Sequence, residues 1–124
     1  MWVKLAGALM FLAVGLGAFG AHAWRGKLTG YYLDVYKTAV LYHFIHALGL
    51  FIVAWLSTQS QDPKISYAGR AFAAGIILFS GSLYLLSITQ MKWLGAVTPL
   101  GGLSFLIGWA FIFLTDIQWY KKVV

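Results

Sequence analysis

Apolar residues run along this chain in four long blocks, and polar residues punctuate them. The blocks cover residues 5–23, 38–56, 70–89 and 95–114. Each approaches the roughly 20 residues that a helix needs to cross a bilayer. Between the first two lies Trp24–Lys37, rich in tyrosine, and its end is expected to be helical along the membrane interface. Between the second and third lies Ser57–Gly69, whose Pro63 discourages helix before it. The turn Gln90–Trp93 is so short that the last two spans must be antiparallel neighbours. Pro99 falls in the opening turn of the fourth span, where a missing N–H costs little. The pattern therefore predicts an all-α membrane protein, a four-transmembrane-helix antiparallel bundle forming one domain over residues 1–124.

Tryptophans mark the edges. Trp2 and Trp24 bracket the first span and Trp55 closes the second, as interfacial belts do. Trp119, Tyr120, Lys121 and Lys122 are expected to anchor the tail. A signal peptide could open in the same way, with Lys4, an apolar run and Ala21-His22-Ala23. That run is longer than the 7–15 apolar residues of a signal peptide, so it is read as a span.

Composition narrows the class. The chain of 124 residues is 61% hydrophobic and 10% charged, against about 25% charged in soluble domains. A soluble fold could not cover its surface with so few charges. The net charge of +6 lies in loops and tails, which points to the lipid bilayer as partner and excludes nucleic acid. With no cysteine, disulfides and thiolate chemistry are excluded. Four spans bring both termini to one side, with Lys4, Lys64, Arg70, Lys121 and Lys122. Arg25, Lys27, Lys37 and Lys92 take the other. The balance is close, and the amino terminus tips it towards cytoplasmic termini in a bacterial inner membrane.

The candidate chemistry is histidine. His43 and His46 share one face of the second span, and His22 ends the first. Depth matching places them in one half of the bundle, with Ser82, Tyr84, Ser87, Thr89 and Thr98. The segments Leu5–Val14, Leu48–Leu56, Ala71–Leu78 and Phe105–Leu114 look apolar and fill the other half. A shallow polar pocket is expected, with His22, His43, His46, Ser82, Tyr84 and Thr98 as polar or metal-binding candidates. Two readings of it stand. Hydrogen bonds among these groups would fix helix register, at about 0.6 kcal/mol each. Alternatively the imidazoles would hold a proton, a small ligand or a transition metal. The first is favoured, because no carboxylate lies within a span and only Asp34 is near. No cofactor is required. His22 facing His43 would be the geometry for a haem, and nothing demands one.

Small residues supply the packing candidates. Ala13, Gly17 and Ala21 form a row at four-residue spacing that lets another helix approach. Gly75, Gly101 and Gly108 make thin faces on the third and fourth spans. No catalytic residue is assigned, since no nucleophile or acid–base pair is evident.

Several stretches carry a family resemblance. They are Gly17-Ala18-Phe19-Gly20-Ala21-His22-Ala23, Tyr42-His43-Phe44-Ile45-His46-Ala47-Leu48, Phe79-Ser80-Gly81-Ser82-Leu83-Tyr84, and Gly95-Ala96-Val97-Thr98-Pro99-Leu100-Gly101-Gly102 followed by Gly108-Trp109. Through these the chain resembles domain-of-unknown-function family 423, small bacterial inner-membrane proteins related to eukaryotic transmembrane protein 256. The resemblance implies a multi-pass membrane protein of about this length and no activity. The expected function is a non-enzymatic accessory or scaffold bundle, packing with itself as a homo-oligomer or with a membrane-complex partner. The alternative is a binder or carrier of a small ligand, metal ion or proton at a His22/His43/His46 cluster.

Overall fold

The computed structural model describes residues 1–117. The expected tail anchor, Trp119 to Lys122, lies outside the described residues. Helix α1 spans Trp2–Ala23, α2 Gly30–Gln59, α3 Pro63–Gly75, α4 Ser82–Thr89 and α5 Thr98–Leu114. A π-helical segment, Ile76–Gly81, joins α3 to α4 into one continuous rod, and a 3-10 segment, Lys92–Ala96, leads into α5. Four of these rods are long and apolar enough to cross a membrane: Trp2–Ala23, Gly30–Gln59, Pro63–Thr89 and Lys92–Leu114. No strand occurs among the described residues.

Two helices begin about two turns earlier than hydropathy predicts. Helix α2 starts at Gly30 rather than Thr38, with extended Thr29 before it. Its 30 residues make a rod of about 45 Å at 1.5 Å per residue. That exceeds the roughly 30 Å of hydrocarbon in a bilayer. The first turns carry exposed Asp34 and Lys37, so the apolar pattern starts later than the helix does. Helix α3 starts at Pro63 rather than Arg70, and Asp62 caps it by accepting from the Lys64 backbone N–H at 3.0 Å. Proline fits the first turn because no helical acceptor awaits its missing N–H. The rod ends where Gln90 turns left-handed at φ 59, a position glycine usually takes.

Packing sets the order of the rods. Helix α1 lies along α2, α2 also packs against the third rod, and α5 lies against α3 and the π-helical segment. The main core gathers Leu50, Val53, Ile65, Phe72, Ile76 and Phe105. A smaller cluster of Ala39, Leu83, Leu86 and Leu94 fills the other end. The Trp2 ring covers Gly69, where an added Cβ would meet it at 2.6 Å. At the same end the Asp116 N–H donates to Asp62 Oδ2 at 3.3 Å. The start of α1, the 60–62 turn and the end of α5 therefore share one end.

Glycines make the third and fourth rods touch. A Cβ on Gly101 would sit 2.2 Å from the Phe79 backbone nitrogen. At Gly75 it would meet the Phe105 ring at 2.3 Å, and at Gly108 the Phe72 ring at 2.6 Å. The α1–α2 seam differs from the four-residue row. Ala6, Ala13 and Gly20 are the buried residues of α1, a heptad spacing like that of a coiled-coil seam. A row at four-residue spacing drifts off such a seam. Gly17 still touches it, its Cβ position 3.3 Å from Val40, whereas Ala21 is exposed and Gly20 takes its place beneath Tyr36.

Candidate functional site

The polar interior is built on α2. His43 and His46 are both buried at 3% exposure, on one face as their spacing requires. They straddle the midpoint of Gly30–Gln59, so they lie at the centre of their helix rather than towards the first loop. The earlier start of α2 accounts for the difference.

His46 is fully engaged. Its Nδ1 lies 2.7 Å from the Tyr42 carbonyl, and its Nε2 lies 3.0 Å from the Trp109 indole nitrogen. A carbonyl only accepts and an indole N–H only donates. His46 must therefore donate through Nδ1 and accept at Nε2, which fixes a neutral tautomer. Its ring stacks on Phe105 with centroids 3.4 Å apart and planes 8° from parallel. Trp109 belongs to a segment expected to offer the imidazoles nothing polar. That expectation fails because indole is apolar by hydropathy yet carries a donor.

His43 is half engaged. Its Nδ1 lies 2.9 Å from the Tyr84 hydroxyl. Its buried Nε2 makes no hydrogen bond of normal geometry, although the Leu9 carbonyl of α1 is within electrostatic reach. Tyr84 stands edge-on to Tyr36, centroids 5.4 Å apart, and the Tyr36 hydroxyl donates to the Leu16 carbonyl on α1. These contacts tie the first three rods together.

Ser82 and Thr98 meet at 2.7 Å, linking α4 to α5. Ser80, within the π-helical segment, donates to the Ala39 carbonyl of α2 at 2.8 Å. Ser104 does the same to the Ala71 carbonyl at 2.7 Å. Serine and threonine thus satisfy themselves on backbone carbonyls or each other.

His22 does not join. It is exposed on the last turn of α1. At about 100° per residue it points well away from Gly20, which faces α2. Asp34 is exposed as well. Among the described residues no group of three His, Cys, Asp or Glu side chains is placed to hold a metal ion. The structure pairs His43 with Tyr84 and Ser82 with Thr98, and it gives His46 a partner that the sequence reading passed over. The available signal was position: Trp109 sits inside a span, away from either interface.

A model for proteins of unknown function, DUF423, matches residues 16–102. The chain belongs to that family. It is 53% identical over 109 residues to UPF0382 membrane protein YwdK of Bacillus subtilis, covering 87% of this chain and 89% of that one. A UPF0382 membrane protein of Staphylococcus epidermidis is 40% identical over 107 residues, covering 86% and 87%. No solved structure matches. The family match includes His43, Tyr84, Ser82 and Thr98 and ends before Trp109. Relatives named as membrane proteins and four apolar rods together make this a multi-pass membrane protein.

Proposed function

We propose that this protein is a non-enzymatic accessory or scaffold bundle of a bacterial cytoplasmic membrane. The carrying observation is His46: both ring nitrogens are spent on Tyr42 and Trp109. A buried imidazole committed in this way holds helices in register and has no lone pair left for a metal. Helix α1 supports the same reading. Gly7 and Gly15 have open space where a Cβ would go, and Phe11 beside them is 79% exposed. Self-packing or packing on a membrane partner would use this face.

Metal analysis and an absorbance spectrum of the protein purified in detergent test the proposal. Neither a stoichiometric transition metal nor a haem band is expected, and either one would overturn it. Orientation is tested separately. Ser60→Cys should react with an impermeant thiol reagent only after the cytoplasm is opened, and Lys27→Cys in intact cells.

One observation favours a second reading, a proton or small-ligand site at His43: its buried Nε2 makes no hydrogen bond of normal geometry, with the Leu9 carbonyl in reach. Nitrogen NMR of ring-labelled protein would expose it as a change of tautomer or charge between pH 5 and 8.

A further inference from the structure

Between α1 and α2 lies a groove of about 560 Å³ that opens to the outside of the bundle. This is within the 300–1,000 Å³ typical of small-molecule sites. Its walls are apolar, from Gly17 and Ala21 on one side to Val40 and Phe44 on the other. The trough exists because α1 is thin there. Its one hydroxyl, on Tyr36, is already committed to the Leu16 carbonyl, so the interior asks for hydrocarbon.

The mouth is different. Arg25, just past the end of α1, and Lys37 on α2 both line it. Both are exposed, and among the described residues the ion pair formed is Lys64 with Asp62. Asp34, three residues before Lys37 on α2, forms no ion pair with it. Lys37 and Phe44 are separated by roughly 10 Å along the helix axis. The Tyr31 and Tyr32 rings pack together at this end of α2, as residues at headgroup level do. Two unpaired cations at the interface thus cap an apolar trough running towards the membrane centre.

We infer that this groove is a binding site for an anionic phospholipid, with the phosphate between Arg25 and Lys37 and an acyl chain against Val40 and Phe44. The cations select the headgroup charge, and the trough selects a lipid over a free anion. Basic pockets between transmembrane helices hold anionic headgroups by this combination on the cytoplasmic side; with the termini cytoplasmic, Arg25 and Lys37 take the lipid from the outer leaflet instead.

Native mass spectrometry of the detergent-solubilised full chain tests it, with phosphatidylglycerol, phosphatidylcholine and inorganic phosphate as probes. One phosphatidylglycerol should be retained per chain in preference to phosphatidylcholine, and inorganic phosphate should not displace it. The double variant Arg25→Gln, Lys37→Gln should weaken retention roughly thirty-fold, about a factor of five per cation. Lys4→Gln, Arg70→Gln removes the same charge at the opposite end and should change nothing. Equal retention of phosphatidylcholine, or an equal loss from both double variants, would overturn the site. Should the groove charge variant not fold, Ala21→Trp fills the trough from an exposed position. It should exclude the lipid, and undiminished binding would sink the proposal.

Discussion

The Trp109 indole donates to His46 Nε2 at 3.0 Å, across 63 positions of sequence. Trp109 itself is 36% exposed on the outer rod, so a residue facing the surroundings holds a buried imidazole in place. The indole also packs on Phe72, ring centroids 4.7 Å apart. Trp109→Phe keeps an aromatic ring there and removes only the donor. His46 Nε2 is then a buried acceptor without a partner. A buried group left unpaired costs about 1–3 kcal/mol, more than the roughly 0.6 kcal/mol average of an interhelical bond in a membrane. Trp109→Phe should therefore destabilise by about 1–2 kcal/mol in detergent unfolding. In a double-mutant cycle with His46→Leu most of that loss should vanish. Additive losses would show that the contact is packing alone.

The glycines differ in what they face, and their substitutions should rank accordingly. At Gly101 a Cβ would meet the Phe79 backbone at 2.2 Å, and at Gly15 it would meet nothing within 4 Å. Backbone inside a helix cannot step aside as a side chain can. Gly101→Ala should force the third and fourth rods apart and cost about 1–3 kcal/mol or more. Gly15→Ala should be neutral or slightly stabilising, since alanine is the better helix former. Fluorescence-detected size exclusion after graded heating reads both. A Gly101→Ala variant as stable as Gly15→Ala would reject the close approach.

Much of this architecture is legible in sequence because bilayers demand unbroken apolar length. The short turn at Gln90 and the Pro99 start of α5 follow from local chemistry alone. Three features escape for identifiable reasons. The first turns of α2 are helical, as expected of the end of Trp24–Lys37, but they carry Asp34 and Lys37, so hydropathy does not show that they continue the span as one rod. Ala21 matches a four-residue row, while the seam follows the heptad of Ala6, Ala13 and Gly20, and only the partner helix decides between them. The π-helical turn that aims Ser80 at Ala39 has no pattern beyond flanking Gly75 and Gly81. At the site, His43 and Tyr84 meet as depth matching suggests. His22 is exposed instead, since depth along a helix says nothing about direction around it.

Asp62 makes the acid limb of stability testable. It accepts from the Lys64 backbone N–H at 3.0 Å and pairs with the Lys64 ammonium at 3.2 Å. The backbone hydrogen bond, with help from that ammonium, holds its carboxyl below the ordinary value of 3.8. A carboxylate whose folded pKa is depressed stabilises fully above its unfolded value. That contribution fades as pH falls through the folded value. The wild type should lose stability as pH drops below about 4. Asp62→Asn keeps a cap acceptor and abolishes the titration, so its melting temperature should be flatter over the same range. Parallel curves for the two proteins would assign acid sensitivity elsewhere.

The His43–Tyr84 pair separates a structural bond from a reactive one. Tyr84 has two options: donate to Nδ1 or accept from it. In the first case His43 carries a buried Nε2–H that reaches the Leu9 carbonyl only outside normal hydrogen-bond geometry; in the second, a buried Nε2 lone pair without a donor. The first option leaves Nε2 a poor bond and the second leaves it none. Tyr84→Phe strands the second nitrogen as well and should cost about 1–3 kcal/mol. His43→Phe joined to Tyr84→Phe removes every unsatisfied nitrogen while keeping rings of similar size at both positions. Replacing both partners by apolar groups of like shape can be nearly neutral. The double variant should therefore be more stable than Tyr84→Phe alone and close to wild type in detergent melts. If the bond serves only to tie α2 to α4, the double variant also accumulates normally in the membrane. If His43 is needed for a proton or ligand, the double variant folds and melts normally yet fails to restore the phenotype of a strain lacking the protein. A double variant less stable than Tyr84→Phe would mean that His43 has a second partner, and the Leu9 carbonyl would be the first to examine by substitution of its neighbours on α1.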